Sequence, residues 1–198
     1  MKRFFVFILC TIYTISMLES FEKIPVKIYK NPTEGSNAVA AQIANLIREK
    51  QAQNLPCVLG MATGTTPILL YKELVRMHKE EGLSFKNVVT INLDEYYPIP
   101  RNSYQSYWSF MHRHLFDHVD IDPKNIHLPN SEWKKDELKE SCVAYEQTIE
   151  KIGGIDLQLL GIGKNGHIGF NEPGSSFHSK TRVIHLDNQT RIANLYEW

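Results

Sequence analysis

The feature that most constrains the fold is a regular alternation of short apolar runs with longer amphipathic segments. Residues 57–61, 88–93 and 155–160 are short apolar runs, and such runs predict buried strands. Between them, apolar residues recur at spacings of three and four, as at Val39, Ile43 and Leu46, which predicts helices. This alternation is typical of an α/β fold with a mostly parallel sheet, whose ligands bind beyond the carboxyl ends of the strands.

The remaining elements are predicted with the same criteria. Asn31-Pro32-Thr33 provides helix-start chemistry, and Gly82 is placed to end the following helix. Three further strands are predicted at residues 26–29, 125–128 and 183–186, and further helices at residues 103–119, at residues 134–152 and from Asp187 onward.

Composition excludes several classes of function. The chain has 198 residues, a length that favours one domain. Lys plus Arg and Asp plus Glu are both 22, so no net charge attracts nucleic acid or an anionic membrane, and an anionic ligand must be held by a local site. Cys10, Cys57 and Cys142 form neither a disulfide framework nor a zinc pattern.

The N-terminal segment, residues 1–20, differs from the rest of the chain. Lys2 and Arg3 precede an apolar run over residues 4–18, which is more typical of a signal peptide than of a membrane-spanning helix. No small-x-small cleavage pattern is present at residues 17–20. Secretion and a misassigned start codon both remain open, and the folded domain is assigned to residues 21–198.

The first of three unusual loops follows the apolar run at residues 57–61. It contains Thr63-Gly64-Thr65-Thr66 and ends at Pro67, which suits the first turn of a helix. Free N–H groups at a helix N-terminus favour an anion, and the threonines add hydroxyl donors. The loop is neither a Walker loop nor a dinucleotide fingerprint. Phosphate binding and a plain capped turn are both compatible with it.

The second loop places two adjacent acids, Asp94 and Glu95, directly after the predicted strand at residues 88–93. A carboxylate at the edge of a sheet is costly to bury unless it is paired, solvated or chemically used. The pattern fits a general base, and it fits a helix cap or a surface turn equally well.

The third loop, residues 161–173, holds His167 among four glycines, with Asn165 and Glu172 close in sequence. A glycine-rich loop can fold a carboxylate back onto an imidazole, which fixes the tautomer and stabilises the charged ring. We therefore expect His167 and Glu172 to form a proton shuttle.

Jointly, residues 59–67, 92–96, 107–119 and 166–173 resemble the glucosamine-6-phosphate deaminase (isomerase) family, over about residues 24–194. The resemblance implies a Rossmann-like three-layer α/β/α sandwich. It also implies conversion of glucosamine 6-phosphate and water to fructose 6-phosphate and ammonia, with no metal and no organic cofactor. The implied setting is cytoplasmic amino-sugar catabolism, with no nucleic acid or membrane partner and with a homo-oligomer allowed.

The resemblance also implies roles for single residues. His167 would open the sugar ring with Asn165 and Glu172, and Asp94 would move a proton between C2 and C1. The phosphate would be held by the first loop, at Thr63, Gly64, Thr65 and Thr66. Two positions depart from the pattern: many members have Asp where this chain has Asn165, and some have a phosphate-contacting Arg where it has Tyr196.

The family continues beyond the position of Trp198, so the resemblance predicts a C-terminally truncated domain that is active only when the missing region is restored. One alternative is a sugar-phosphate lactonase, such as a 6-phosphogluconolactonase, although Phe170-Asn171-Glu172-Pro173 matches deaminases. Another alternative is an inactive sugar-phosphate-binding fragment.

Overall fold

The computed structural model of the protein describes residues 25–195. The helices are α1 (Pro32–Ala52), α2 (Ile68–Glu81), α3 (Tyr107–His114), α4 (Leu138–Ile152) and α5 (Asn188–Leu195). The strands are β1 (Cys57–Met61), β2 (Val88–Asn92), β3 (Ile126–His127) and β4 (Leu157–Gln158). Short 3-10 turns occupy Phe116–His118 and Pro123–Asn125.

The described strands form one parallel sheet in the order β3-β2-β1-β4. The register pairs Met61 with Asn92, so β1 and β2 end side by side. Gly60 pairs with Gln158, so β4 ends near the same level. Because parallel strands present their carboxyl ends at one edge, the three unusual loops leave the sheet on the same side.

Helices cover both faces of the sheet. Leu59, Met61 and Val88 are buried on one face against residues of α1, α2 and α3. Val58 and Ile91 are buried on the other face against Tyr145 of α4. This arrangement confirms the predicted three-layer α/β/α architecture with a parallel sheet.

The start of α1 shows how local sequence fixes an element. The Asn31 side chain accepts a hydrogen bond of 2.9 Å from the backbone N–H of Glu34, and Pro32 occupies the first helical turn. A cap of this kind contributes about 1 kcal/mol. Helix α1 then buries Ile43 and Ile47 against α2 and the sheet, as their spacing predicts.

Two predicted strands are absent from the described residues. Residues 26–29 form no strand, and Val26 and Ile28 are 79% and 93% exposed. Residues 183–186 also form no strand, and Val183 is 52% exposed. Their β-branched residues favour strands, but a strand needs a hydrogen-bonding neighbour, and the described sheet provides none for either segment.

Two predicted helices are shorter than expected. The helix predicted at residues 103–119 begins only after Ser106, whose side chain accepts from the N–H of Ser109, and it breaks at Leu115 before a 3-10 turn. The helix predicted from residue 134 begins at Leu138. The predictions for residues 1–20 and for Tyr196 lie outside the described residues. Within residues 25–195, no helix is long and apolar enough to cross a membrane.

Candidate active site

The loop between β1 and α2 presents backbone and hydroxyl donors at a helix start. Gly64 has a φ of 95°, a left-handed conformation that glycine adopts without strain. The Tyr71 hydroxyl donates to the Ala62 carbonyl and anchors the loop on α2. Among the described side chains, none caps the N-terminus of α2, and Thr65 and Thr66 are exposed. The helix start is therefore open to an anion.

The two adjacent acids of the second loop have different environments. The Glu95 carboxylate accepts hydrogen bonds from the backbone N–H groups of Tyr107 (2.8 Å), Trp108 (2.9 Å) and Tyr96 (2.9 Å). Burial raises the pKa of Glu95, although these three donors oppose the change. Glu95 therefore caps α3, which is the structural role that the sequence left open for one of the two acids.

Asp94 is the acid of the pair whose pKa lies near neutral pH. Burial raises its pKa from an ordinary value near 3.8 to about 7, and the negative charge of Glu95 adds to the change. A carboxyl group with this pKa can take up and release a proton at neutral pH.

The third loop holds His167 through its Nδ1 atom. Nδ1 lies 2.8 Å from Asn165 Oδ1 and 3.1 Å from Thr190 Oγ1. The Asn165 amide is oriented by its Nδ2, which donates to Glu172 Oε2 at 2.6 Å. Because the Asn165 amide oxygen can only accept, Nδ1 carries the proton, and Nε2 is the nitrogen left for a substrate.

Glu172 lies within ion-pair distance of the imidazole but does not hydrogen-bond it. Its Oε2 lies 3.9 Å from His167 Nδ1, beyond hydrogen-bonding distance. Burial raises the pKa of Glu172, but hydrogen bonds from Thr190, Asn165 and the Asp187 N–H outweigh burial and lower it overall. The structure therefore brings the predicted residues Asn165, His167 and Glu172 together, with Asn165 between the Glu172 carboxylate and the His167 ring.

Thr190 is the residue of this cluster that the sequence did not single out. It lies in the first turn of α5, and its side chain is 2% exposed. A threonine there is also typical of ordinary helix-start chemistry, so no local pattern marks it as part of a site. Only the packing of α5 against the His167 loop reveals it.

The loop backbone is shaped to fit the imidazole ring. A Cβ atom added to Gly163 would lie 2.2 Å from His167 Cε1 and 2.4 Å from its Nε2. The Gly163 N–H also donates to the His167 carbonyl at 2.9 Å. Gly163 is thus required for the close approach of the ring to the backbone.

An aromatic cluster, defined by Tyr96, Tyr107 and Phe170, connects the three loops. The Phe170 ring centroid lies 5.5 Å from that of Tyr96, 5.9 Å from that of Tyr107 and 6.0 Å from that of His167. Burial and the nearby charge of Asp94 raise the pKa of Tyr107, while a hydrogen bond with Thr63 opposes the change. One cluster therefore contacts residues of all three loops.

A cavity of about 370 Å³ adjoins this cluster. Its lining residues include Asp94, Phe170, Trp133 and Arg182. His167 and residues 63–66 are not among its lining residues. A single cavity shared by Asp94, His167 and the threonine loop therefore remains a prediction. Among the described residues, no group of three or more His, Cys, Asp and Glu side chains could hold a metal ion.

Comparison with known proteins shows to which family the chain belongs. The sequence profile of the family described as glucosamine-6-phosphate isomerases/6-phosphogluconolactonase matches residues 30–191. The chain belongs to this family. The glucosamine-6-phosphate deaminase of Lysinibacillus sphaericus is 52% identical over 155 residues, which cover 78% of this chain and 65% of the relative. A putative glucosamine-6-phosphate deaminase-like protein of Bacteroides thetaiotaomicron is 51% identical over 176 residues, or 89% of this chain and 26% of the relative.

Solved structures of the glucosamine-6-phosphate isomerase family agree with the fold. A monomeric glucosamine-6-phosphate deaminase superposes with a TM-score of 0.81 at 44% identity, covering 86% of this chain and 68% of that protein. A 6-phosphogluconolactonase of Thermotoga maritima superposes with a TM-score of 0.57 at 23% identity, covering 67% of this chain and 58% of that protein, and this likeness concerns the fold alone. Since the solved deaminase is monomeric, a homo-oligomer stays a prediction for this chain.

Proposed function

We propose that the protein converts glucosamine 6-phosphate and water to fructose 6-phosphate and ammonia. The observation that carries the proposal is the pairing of two proton-transfer groups around one aromatic cluster. Asp94 has a pKa of about 7, and the His167 ring has its Nδ1–H fixed by Asn165. Relatives that are about half identical and are named deaminases support this assignment.

Ring opening is the step assigned to His167. The cyclic sugar opens when a base removes the proton of the C1 hydroxyl and an acid supplies a proton to the ring oxygen. Nε2 of a neutral imidazole with Nδ1–H can accept the first proton and return it to the ring oxygen. Asn165 holds the ring in this tautomer, and Glu172 lies close enough to favour the transient positive charge.

Isomerisation is the step assigned to Asp94. Its carboxylate removes the proton from C2 of the open amino sugar while the C1 oxygen gains a proton, which gives an enol. The carboxylic acid then gives its proton to C1 while the amino nitrogen loses one, so the second proton passes in net from nitrogen to the C1 oxygen. The product has an imine at C2, to which water adds, and ammonia then leaves to give the ketose. A base with a pKa near 7 serves both directions of the transfer at neutral pH.

Substrate positioning is assigned to the loop between β1 and α2. Thr63, Gly64, Thr65 and Thr66 would hold the phosphate at the open start of α2. A fixed phosphate sets the distance from the sugar carbons to both proton-transfer groups, and such positioning can lower a barrier by several kcal/mol. The phosphorylated substrate also favours a cytoplasmic location. In this proposal the protein acts as a hydrolase in the catabolism of N-acetylglucosamine and other amino sugars.

The extent of the chain bears on activity. The match covers 65% of the Lysinibacillus sphaericus relative, and the remainder of that relative lies outside the match. We propose residues 21–198 as one domain that carries the proton-transfer groups, with full turnover requiring the further region that the relatives have.

Ammonia release from glucosamine 6-phosphate tests the proposal. It is to be measured for the 198-residue chain and for a chimera extended with the corresponding region of the Lysinibacillus sphaericus deaminase. We expect turnover by the chimera that is lost in its Asp94→Asn variant and kept in its Asp136→Asn variant, since Asp136 is exposed. Hydrolysis of 6-phosphogluconolactone without ammonia release would instead establish the lactonase alternative.

A further inference from the structure

The position of Glu172 leaves a gap in the histidine cluster. Its carboxylate oxygen is 3.9 Å from His167 Nδ1, which is too far for a hydrogen bond. Thr190 Oγ1 lies 3.1 Å from the same Nδ1 atom and 3.3 Å from Asn165 Nδ2, which donates to Glu172 Oε2 at 2.6 Å. The hydroxyl therefore contacts both the ring and the amide that stands between the ring and the carboxylate.

The Thr190 hydroxyl oxygen can accept from two groups of the cluster. A hydroxyl has one donor and two acceptor positions. The acceptor positions receive Nδ1–H of His167 and Nδ2–H of Asn165, the latter at 3.3 Å. This assignment agrees with the Nδ1–H tautomer that Asn165 Oδ1 requires independently.

Thr190 also connects the site to α5. Its side chain is 2% exposed, whereas its neighbours Gln189 and Arg191 are exposed. The backbone N–H of Asp187, next to the start of α5, donates to Glu172 Oε1 at 3.0 Å. The start of α5 is therefore held on the histidine loop by polar contacts to the same groups that surround the imidazole.

We propose that Thr190 is a positioning residue that links the start of α5 to the tautomer of His167. Its oxygen accepts Nδ1–H, which leaves Nε2 for a substrate, and it also accepts from the Asn165 amide, whose Oδ1 accepts the same ring proton. The catalytic meaning of this relay, from α5 through Thr190 to the ring, rests on the proposed function, but the relay itself does not.

The test uses ¹⁵N NMR of the histidine rings in the 198-residue chain, without substrate. We expect wild-type His167 to carry its proton on Nδ1. In Thr190→Val, which keeps the shape and removes the hydroxyl, the Nδ1–H resonance should shift and exchange faster with water. In the same variant, the midpoint of the Glu172 carboxyl titration should rise. Thr190→Ser should restore both properties, and Thr148→Val on α4 should leave them unchanged.

Two results would overturn the relay. One is a wild-type His167 ring protonated mainly on Nε2, which needs no variant to detect. The other is a Thr190→Val spectrum that matches wild type at both His167 and Glu172. These readouts are independent of turnover, so a confirmed relay without ammonia release would contradict the proposed function alone. If the extended chimera is active, Thr190→Val should lower kcat by about tenfold and Thr190→Ser should recover it, as loss of one hydrogen bond to the ring implies.

Discussion

Asp94 and Glu95 are adjacent in the chain and have opposite roles in the structure. Glu95 accepts three backbone N–H groups and caps α3, while Asp94 is half-buried and has a pKa of about 7. The negative charge fixed at Glu95 contributes to the raised pKa of its neighbour. Glu95 thus caps α3 and also helps to raise the pKa of Asp94.

The raised pKa of Asp94 predicts a specific dependence of stability on pH. Because its folded-state pKa of about 7 lies above its ordinary value near 3.8, the folded protein binds more protons than the unfolded chain between these pH values. The free energy of unfolding should therefore fall as pH rises through that window. Asp94→Asn should remove this fall, which amounts to several kcal/mol at ~1.4 kcal/mol per pKa unit.

The measurement is urea unfolding at about pH 5 and about pH 8 for each protein, since the difference between the two values cancels effects of the substitution that do not depend on pH. Asp136→Asn is the matched control, because that carboxylate is exposed and should leave the difference unchanged. An Asp94→Asn variant with the same pH dependence as wild type would show that Asp94 titrates normally.

The capping role of Glu95 predicts a different effect. Glu95→Ala removes the acceptor of the N–H groups of Tyr107 and Trp108, and the start of α3 should lose about 1–2 kcal/mol of stability. Thermal unfolding checks this, with Glu132→Ala as a control because Glu132 is exposed and, within residues 25–195, its side chain accepts only the Arg101 N–H. Equal stabilities of the two variants would contradict the capping role.

The sheet and its loops could be predicted from sequence because their signals are local. The apolar run at Cys57–Met61 matches β1 residue for residue, and Gly82 ends α2 in the left-handed conformation. Residues 26–29 and 183–186 have the same β-branched character, yet neither forms a strand. Strand formation depends on a pairing partner distant in sequence, and composition carries no information about that partner.

The residues of the candidate site could be predicted from the sequence, but the contacts between them could be predicted less well. Glycine spacing and nearby polar residues identify His167, Asn165 and Glu172, and the structure brings them together. Sequence predicted a direct pairing of the imidazole with Glu172, whereas the atoms are 3.9 Å apart. Asn165 stands between them, and Thr190 adds a contact to the ring from a separate helix, which only tertiary packing defines.

The phosphate assignment predicts a loss of anion affinity at Gly64. Gly64→Ala places a side chain at a φ of 95°, which costs about 1–3 kcal/mol of strain and should distort the start of α2. Binding of inorganic phosphate, followed by calorimetry, should weaken. Gly82→Ala is the matched control, because Gly82 also has a positive φ of 71° but lies at the opposite end of α2. Equal phosphate affinity in the two variants would exclude the loop as the phosphate site.

The close approach at Gly163 predicts a local effect on the imidazole. Gly163→Ala places a Cβ atom 2.2 Å from His167 Cε1, so the ring must leave its position between Asn165 and Thr190. Ammonia release by the extended chimera should then fall by about 10²-fold or more, the usual contribution of a placed proton-transfer group. Gly161→Ala is the control, since a Cβ there meets no atom within 4 Å, and it should keep wild-type turnover. If both variants turned over at the wild-type rate with His167 displaced in its NMR spectrum, the imidazole would have no part in the reaction.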